Sequence, residues 1–133
     1  MGSKRKAVID ALIEMMDTMS LDDIRAEDLI KRSGVSKTTF YRLFHDKYDV
    51  MNSAYLDAST AVVHKDPDMK NMRLWTIEDC NHIAKNPRFY QKILSYHGQN
   101  SFRDTIKAYY YQNIQRHVEM KANGHILTDQ EQY

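Results

Sequence analysis

The chain has 133 residues, a formal net charge of +1, and 42% hydrophobic and 28% charged residues, which is the composition of an ordinary globular protein. Its length suits one domain, or a small head joined to one further helical module. Two prolines and four glycines leave little room for turns, so the composition disfavours a β-rich fold. The nearly balanced charge does not by itself indicate a partner.

Cysteine content and hydropathy bear on the cellular compartment of the protein. A single cysteine, Cys80, excludes an intramolecular disulfide and fits a reducing compartment. No apolar run approaches the roughly 20 residues needed to cross a bilayer. The first residues, Met-Gly-Ser-Lys-Arg-Lys, lack the apolar core of a secretory signal. These features predict a cytoplasmic protein with no membrane partner.

Apolar residues recur at helical spacing along the chain, and we predict an all-α protein. In the first helix, for example, Ile9, Leu12 and Met16 share one face. A polar stretch at 64–70 that contains Pro67 predicts a linker. In chain order, the predicted helices cover about 4–19, 26–33, a short stretch after Ser36, about 47–64, about 71–85, 87 to a stop at Gly98, and about 101–123.

The stretch 33–47 predicts two helices joined by a tight turn. Gly34 follows the second helix, where a left-handed backbone favours a residue without a Cβ, and Ser36 can cap the third helix. In that third helix Phe40, Leu43 and Phe44 form an apolar stripe. The opposite face carries hydrogen-bond donors and no acid: Lys37, Thr38, Thr39, Tyr41 and Arg42. This arrangement is typical of a helix-turn-helix whose second helix enters the major groove of DNA.

These residues also resemble the signature of the TetR family of bacterial transcriptional regulators. In that family Gly-Val-Ser is followed at fixed spacing by an apolar residue, Tyr, Phe and a Lys that starts the next helix. The matching positions here are Gly34, Val35, Ser36, Phe40, Tyr41, Phe44 and Lys47. The resemblance covers roughly residues 7 to 55 and implies a DNA-binding head, a linking helix and a helical body.

Two positions depart from the family pattern. Arg25 stands where a Thr or Ser commonly caps the second helix, so the cap is lost although arginine can still reach a phosphate. Leu43 stands where a Tyr or His frequently contacts the DNA backbone, which removes one expected contact.

Phosphate contacts set the register of such a head and base contacts set its sequence preference. We expect Lys37, Tyr41 and Lys47, together with Arg25, to hold phosphates. Thr38 and Thr39 are short and lie near the helix N-terminus, so they can meet base edges or a thymine methyl, and Arg42 can do either. Five cations against one acid, Asp46, between residues 31 and 47 support this assignment.

The second half of the chain is rich in aromatic residues, and two interpretations stay open. Tyrosines at helical spacing are more often core than pocket, but aromatic walls with a few polar groups are also typical of a ligand cavity. The resemblance brings the cavity level with the core interpretation, since this module commonly senses a small molecule in the family. The candidate ligand residues are Trp75, Asp79, Cys80, His82, Tyr90, His97 and Tyr110.

Residues 86–102 resemble the body of one TetR subgroup, which includes activators of dihydroxyacetone kinase operons. Some members of that subgroup respond to a partner protein and bind no small ligand. The resemblance therefore leaves two kinds of signal, a small-molecule effector or a co-regulator protein.

Neither a metal site nor an active site is predicted. Cys80 and His82 lie two residues apart and so point to different faces of a helix, which disfavours zinc. No nucleophile triad, nucleotide-binding glycine loop or paired carboxylates stand in a plausible setting. We expect no cofactor and no enzymatic activity.

The C-terminal residues predict another helix, because Thr128 to Glu131 form a capping box just before the last residue, Tyr133. We expect a truncated fragment or a shortened member that lacks the helices through which the family commonly dimerises. The prediction is a head of residues 1–50 and a partial ligand-binding and dimerisation domain of residues 51–133, which together bind a double-stranded operator as a homodimer. The alternative is an effector- or protein-interaction module that has lost DNA binding. The sequence leaves open repressor or activator, the operator and the signal.

Overall fold

In a computed structural model, the described residues are 2–66, 70–98 and 100–124, and within them all regular structure is helical. The all-α prediction is confirmed. Seven α-helices and one short 3-10 turn follow one another in these ranges: α1 Ser3–Met15, the 3-10 turn Leu21–Asp23, α2 Ala26–Ser33, α3 Lys37–Leu43, α4 Lys47–Lys65, α5 Met72–Lys85, α6 Pro87–Leu94 and α7 Phe102–Gly124. The predicted capping box at 128–131 and the centre of the predicted linker, 67–69, lie outside the described residues.

The chain forms two compact units, Met1–Phe102 and Arg103–Tyr133. The described part of the first unit contains α1 to α6 and the beginning of α7, and the described part of the second is the rest of α7. The predicted division at residue 50 into a head and a body stays a prediction.

Most predicted helices lie where the sequence places them, but two end early. α1 stops at Met15, four residues before the predicted end, because Asp17 and Thr18 are poor helix formers and an acid is unfavourable at a helix C-terminus. α6 stops at Leu94 and not near His97. The reason is local, since the Ser95 hydroxyl donates to the Gln91 carbonyl at 3.0 Å and competes with helix continuation.

The core of the first unit is built from the predicted stripes. Val8 and Leu12 of α1 are fully buried, as are Ile24 before α2 and Leu29 within it. Phe40 of α3 joins them, and further large buried groups include Phe44, Met51, Tyr55, Phe89 and Phe102. Leu43, which the sequence places on the apolar stripe of α3, is only half-buried.

A lysine from α6 donates hydrogen bonds to backbone carbonyls just beyond the end of α1. The Lys92 ammonium donates to the carbonyl of Met16 and, at 3.2 Å, to the carbonyl of Met19. These carbonyls follow the last turn of α1, where a helix leaves acceptors without backbone partners. A residue of α6 therefore holds the segment that leads into α2.

Candidate nucleic-acid interface

The turn between α2 and α3 has the predicted local geometry. Gly34 ends α2 with φ +77°, and its N–H donates to the Ile30 carbonyl at 3.1 Å. Ser36 then caps α3, because its hydroxyl oxygen accepts from the Thr39 backbone N–H at 3.1 Å. Asp46 caps α4 in the same way through the Asp49 N–H at 2.9 Å. Local side chains thus define where α3 begins and where α4 begins.

Four of the predicted contact residues share the exposed surface of α3: Lys37, Thr38, Tyr41 and Arg42. Half of the Tyr41 surface is exposed, and its ring meets Phe40 edge-on with centroids 5.0 Å apart. The ring is thereby supported by a core residue although the side chain lies at the surface. This surface offers cationic and neutral donors and contains no carboxylate.

Thr39 does not lie on this surface, and the prediction that it belongs to the exposed face is wrong. Its side chain is 9% exposed, and its Oγ1 accepts from the Ser36 hydroxyl at 2.9 Å. The capping arrangement at the start of α3 turns Thr39 inward. The predicted base contact of Thr39 stays untested.

Arg25 precedes α2 in an extended conformation and is exposed. Its backbone N–H donates to the Asp28 carboxylate at 2.9 Å, which is one half of a capping box. The other half is missing, because the Arg25 side chain cannot accept a bond from a helix amide. The guanidinium is left at the surface, as its predicted phosphate role requires.

Lys47 has a different environment from the one predicted. Its ammonium donates to the carbonyls of Leu21 and Ile24, at 2.8 and 2.9 Å, and lies 5.4 Å from the Tyr48 ring centroid. The side chain therefore joins the first turn of α4 to the segment before α2. Its predicted phosphate contact stays untested, and in the protein alone Lys47 has a structural role.

Arg5 is a residue that the sequence interpretation missed. Its guanidinium forms two bonds with the Asp57 carboxylate of α4, at 2.7 and 3.0 Å, and one with the Ser53 hydroxyl at 3.0 Å. It also donates to the Leu43 carbonyl, the last residue of α3, at 3.1 Å and lies 4.7 Å from the Phe44 ring centroid. The hydrogen bond that Arg5 donates to Asp57 raises the pKa of Arg5 above its ordinary value.

The sequence contains a signal for Arg5. Arg5 precedes Val8 and Leu12 by three and seven residues, so helical spacing places it on the buried face of α1. A cation on an apolar face requires a partner, and Asp57 lies one turn beyond Ser53 on α4.

The structure divides the candidate ligand residues. Trp75, Asp79 and Tyr90 are buried and His82 is half-buried, whereas Cys80, His97 and Tyr110 are exposed. His82 and Tyr90 meet edge-on with ring centroids 5.8 Å apart, and His82 Nε2 lies 3.1 Å from the Ala54 carbonyl. The four inner residues connect α4, α5 and α6.

Asp79 is the polar centre of this group. Its carboxylate accepts from the Tyr55 hydroxyl at 2.6 Å and from the Ser59 hydroxyl at 3.5 Å. The Tyr90 hydroxyl and the Trp75 indole N–H are buried without a hydrogen-bond partner among the described residues. Burial, and then the negative charge of Asp79, raise the pKa of Tyr90 well above its ordinary value. The phenol therefore stays neutral at physiological pH.

Neither a metal site nor a membrane-spanning helix is found in the described ranges 2–66, 70–98 and 100–124. No set of three or more His, Cys, Asp or Glu side chains there could hold a metal ion. No helix there combines the length and apolarity needed to cross a membrane.

Comparison with known proteins supports the family resemblance through the other half of the chain. Residues 70–133 match the family model TetR_C_8, described as a transcriptional regulator C-terminal region. The match supports a TetR-family transcriptional regulator and points to a regulator that is not an enzyme. No curated protein and no solved structure matches the chain.

Proposed function

We propose that this chain is a DNA-binding transcriptional regulator in which α2, the turn at 34–36 and α3 form a helix-turn-helix. The carrying observation is the exposed donor surface of α3, built from Lys37, Thr38, Tyr41 and Arg42 behind a capped turn. A short helix that projects donors and no acid from a buried apolar stripe suits the major groove, where phosphates and base edges offer acceptors.

Each residue takes a role in this proposal according to its length and position. Lys37 and Tyr41 hold phosphates beside α3, and Arg25 holds one from the start of α2. Thr38 meets a base edge, and Arg42 meets either a base or a phosphate. The predicted contacts of Thr39 and Lys47 are secondary, because both side chains already bond within the protein.

The remainder of the proposal concerns assembly and control. The protein acts in the cytoplasm as a homodimer whose two heads occupy half-sites separated by one helical turn of DNA or a multiple of it. The region from residue 51 receives the signal, either a small molecule among Trp75, Asp79 and Tyr90 or a co-regulator protein, and couples it to DNA affinity. The TetR_C_8 match over residues 70–133 supports this division of labour.

The test is the fluorescence anisotropy of labelled DNA from the region upstream of the protein's own coding sequence, compared with random DNA, at two salt concentrations. We expect preference for the upstream DNA and an affinity that falls with salt, with a log–log slope of about −0.9 for each phosphate neutralised. Tyr41→Ala should weaken binding about tenfold, because a phosphate contact on the recognition surface is lost.

A matched pair of lysines provides the control. Lys37→Ala should weaken binding, whereas Lys65→Ala, which removes the same charge from an exposed position at the end of α4, should change it little. Circular dichroism confirms that each variant is folded. Equal and weak binding to both DNAs, or equal effects of the two lysines, would contradict operator recognition and favour the interaction module that has lost DNA binding.

The nature of the signal has its own measurement. Trp75 is buried beside Asp79 on α5, so its fluorescence should change when a small molecule enters this region. A spectrum unmoved by a panel of metabolites, together with capture of the protein by a specific co-regulator, would assign the signal to a protein.

A further inference from the structure

The recognition surface lies on the shortest α-helix among the described residues. α3 has 7 residues, and isolated helices shorter than about 12 residues are marginal in water, so its orientation depends on tertiary contacts. Gly34 and Ser36 determine where it begins. The hydrogen bonds of the Ser36 side chain are with Thr39 of α3 itself, so they do not orient the helix against its neighbours. Its C-terminal end is held differently.

Arg5 holds that end through two contacts and is itself bound to α4. The guanidinium donates to the Leu43 carbonyl at 3.1 Å, and it lies 4.7 Å from the ring centroid of Phe44, the residue that caps α3. Its other edge is bidentate to Asp57 and bonds Ser53, both on α4. One planar cation therefore fixes α3 to α4, with α1 as the support.

The pair is more than a surface contact. The side chains of Arg5 and Asp57 are 28% and 19% exposed, whereas the neighbouring Lys6–Asp10 pair on α1 is 63% and 48% exposed. A half-buried, bidentate pair with further hydrogen bonds holds its geometry, and an exposed pair one turn apart contributes little. The chain thus contains a matched control for each member of the Arg5–Asp57 pair.

We propose that Arg5 and Asp57 are positioning residues for DNA recognition, which set the angle at which α3 meets the major groove. Neither residue touches DNA in this mechanism. Both act through the Leu43 carbonyl and the Phe44 ring at the end of α3. The proposal rests on the proposed function, since it names the residues that hold its recognition surface.

Asp57→Asn gives a test in which two explanations predict opposite changes in DNA affinity. If the acid mattered only through its charge, its removal would reduce repulsion from DNA phosphates and tighten binding. If the acid positions α3, its removal weakens the bidentate contact with Arg5 and lets α3 move. Binding to the upstream DNA should then weaken by on the order of tenfold, the scale of one charge-assisted hydrogen bond. The preference for upstream over random DNA should fall with it, because phosphate contacts tolerate a misaligned helix better than base contacts do.

The controls separate position from charge. Asp10→Asn removes a carboxylate from the exposed pair on α1 and tests charge alone, so it should leave the preference unchanged and slightly tighten binding to both DNAs. Arg5→Lys keeps the cation but loses the planar fork, so it should weaken binding while leaving the protein folded. Lys6→Gln removes one charge beside Arg5 without this geometry and should reduce affinity equally for both DNAs.

A second readout does not depend on DNA. Hydrogen exchange of the α3 amides in Asp57→Asn should become several-fold faster than in the wild type, while α5 and α6 amides keep their protection. If the wild type binds neither DNA, the proposed function fails. Hydrogen exchange of the α3 amides alone then decides whether the Arg5–Asp57 pair holds α3 in place. Unchanged α3 exchange, or an Asp57→Asn variant that binds upstream DNA as tightly as the wild type, would overturn the positioning role. Should Asp57→Asn fail to fold, the same two readouts on Arg5→Lys decide it.

Discussion

Lys47 donates to the carbonyl of Leu21 at 2.8 Å, across 26 residues of sequence, and so fastens the first turn of α4 to the segment that precedes α2. A second bond of 2.9 Å to the Ile24 carbonyl completes the attachment. Lysine at this position therefore has a structural function in the protein alone, whatever it contacts on DNA.

Lys47→Met should lower the free energy of unfolding by about 1–2 kcal/mol, because two half-buried carbonyls lose their donor. Lys37→Met removes the same charge from the exposed surface of α3 and should leave stability within about 0.5 kcal/mol. Urea unfolding followed by circular dichroism measures both. Equal stabilities of the two variants would show that the Lys47 bonds do not stabilise the fold, which would leave Lys47 a purely electrostatic role toward DNA.

Gly34→Ala isolates the cost of a backbone conformation. A Cβ at this glycine would meet nothing within 4 Å, so only the left-handed φ of +77° opposes the substitution. We expect a loss of about 1–2 kcal/mol in unfolding free energy. Gly2→Ala is the control, because a Cβ there also meets nothing and φ is −70°. Comparable effects at the two glycines would contradict the strained turn.

The buried tyrosines Tyr55 and Tyr90 provide a second matched pair. Tyr55→Phe removes a 2.6 Å hydrogen bond to the buried Asp79 carboxylate and should cost about 1.5–3 kcal/mol. Tyr90→Phe removes a buried hydroxyl that has no partner among the described residues, so it should be neutral or slightly stabilising. Chemical unfolding at pH 7 distinguishes them, and a larger loss for Tyr90→Phe would show that its hydroxyl has a partner in solution.

The same phenol predicts a pH dependence. Burial raises the pKa of Tyr90 above the ordinary 10.0, so the folded state holds the proton more tightly than the unfolded state. Its contribution to stability is complete below pH 10.0 and is lost as pH rises through the raised value. Between pH 9 and about 11, the wild type should lose more unfolding free energy than Tyr90→Phe. Parallel losses in the two proteins would exclude Tyr90 as the titrating group.

Lys92→Met tests the attachment of α6 to the end of α1. The variant leaves the Met16 and Met19 carbonyls without their donor, and we expect a loss of about 1–3 kcal/mol. Lys85→Met, at the exposed end of α5, is the control for charge. Hydrogen exchange should localise the change to residues 16–19 and the helix that follows, and a uniform increase across the first unit would argue against a local tie.

The sequence by itself determined the local structure of this protein. Apolar periodicity placed the helices, and Gly34 and Ser36 marked the turn and the start of α3, because capping and φ preference act over three or four residues. Such effects can be inferred from neighbouring residue types. Two predicted boundaries failed, at the end of α1 and at the end of α6, where the Ser95 hydroxyl competes with helix continuation.

Only the tertiary structure decided which polar groups face inward and what they hold. Arg5 reaches Asp57 across 52 residues, and Lys92 reaches Met16 across 76, so no local pattern pairs them. The same packing buries Thr39 and directs the Lys47 ammonium to backbone carbonyls. It also buries Trp75, Asp79 and Tyr90 but leaves Cys80 and His97 exposed. Periodicity predicts the face on which a side chain lies, but its partner depends on which helices meet, and that is decided by the packing of the whole core.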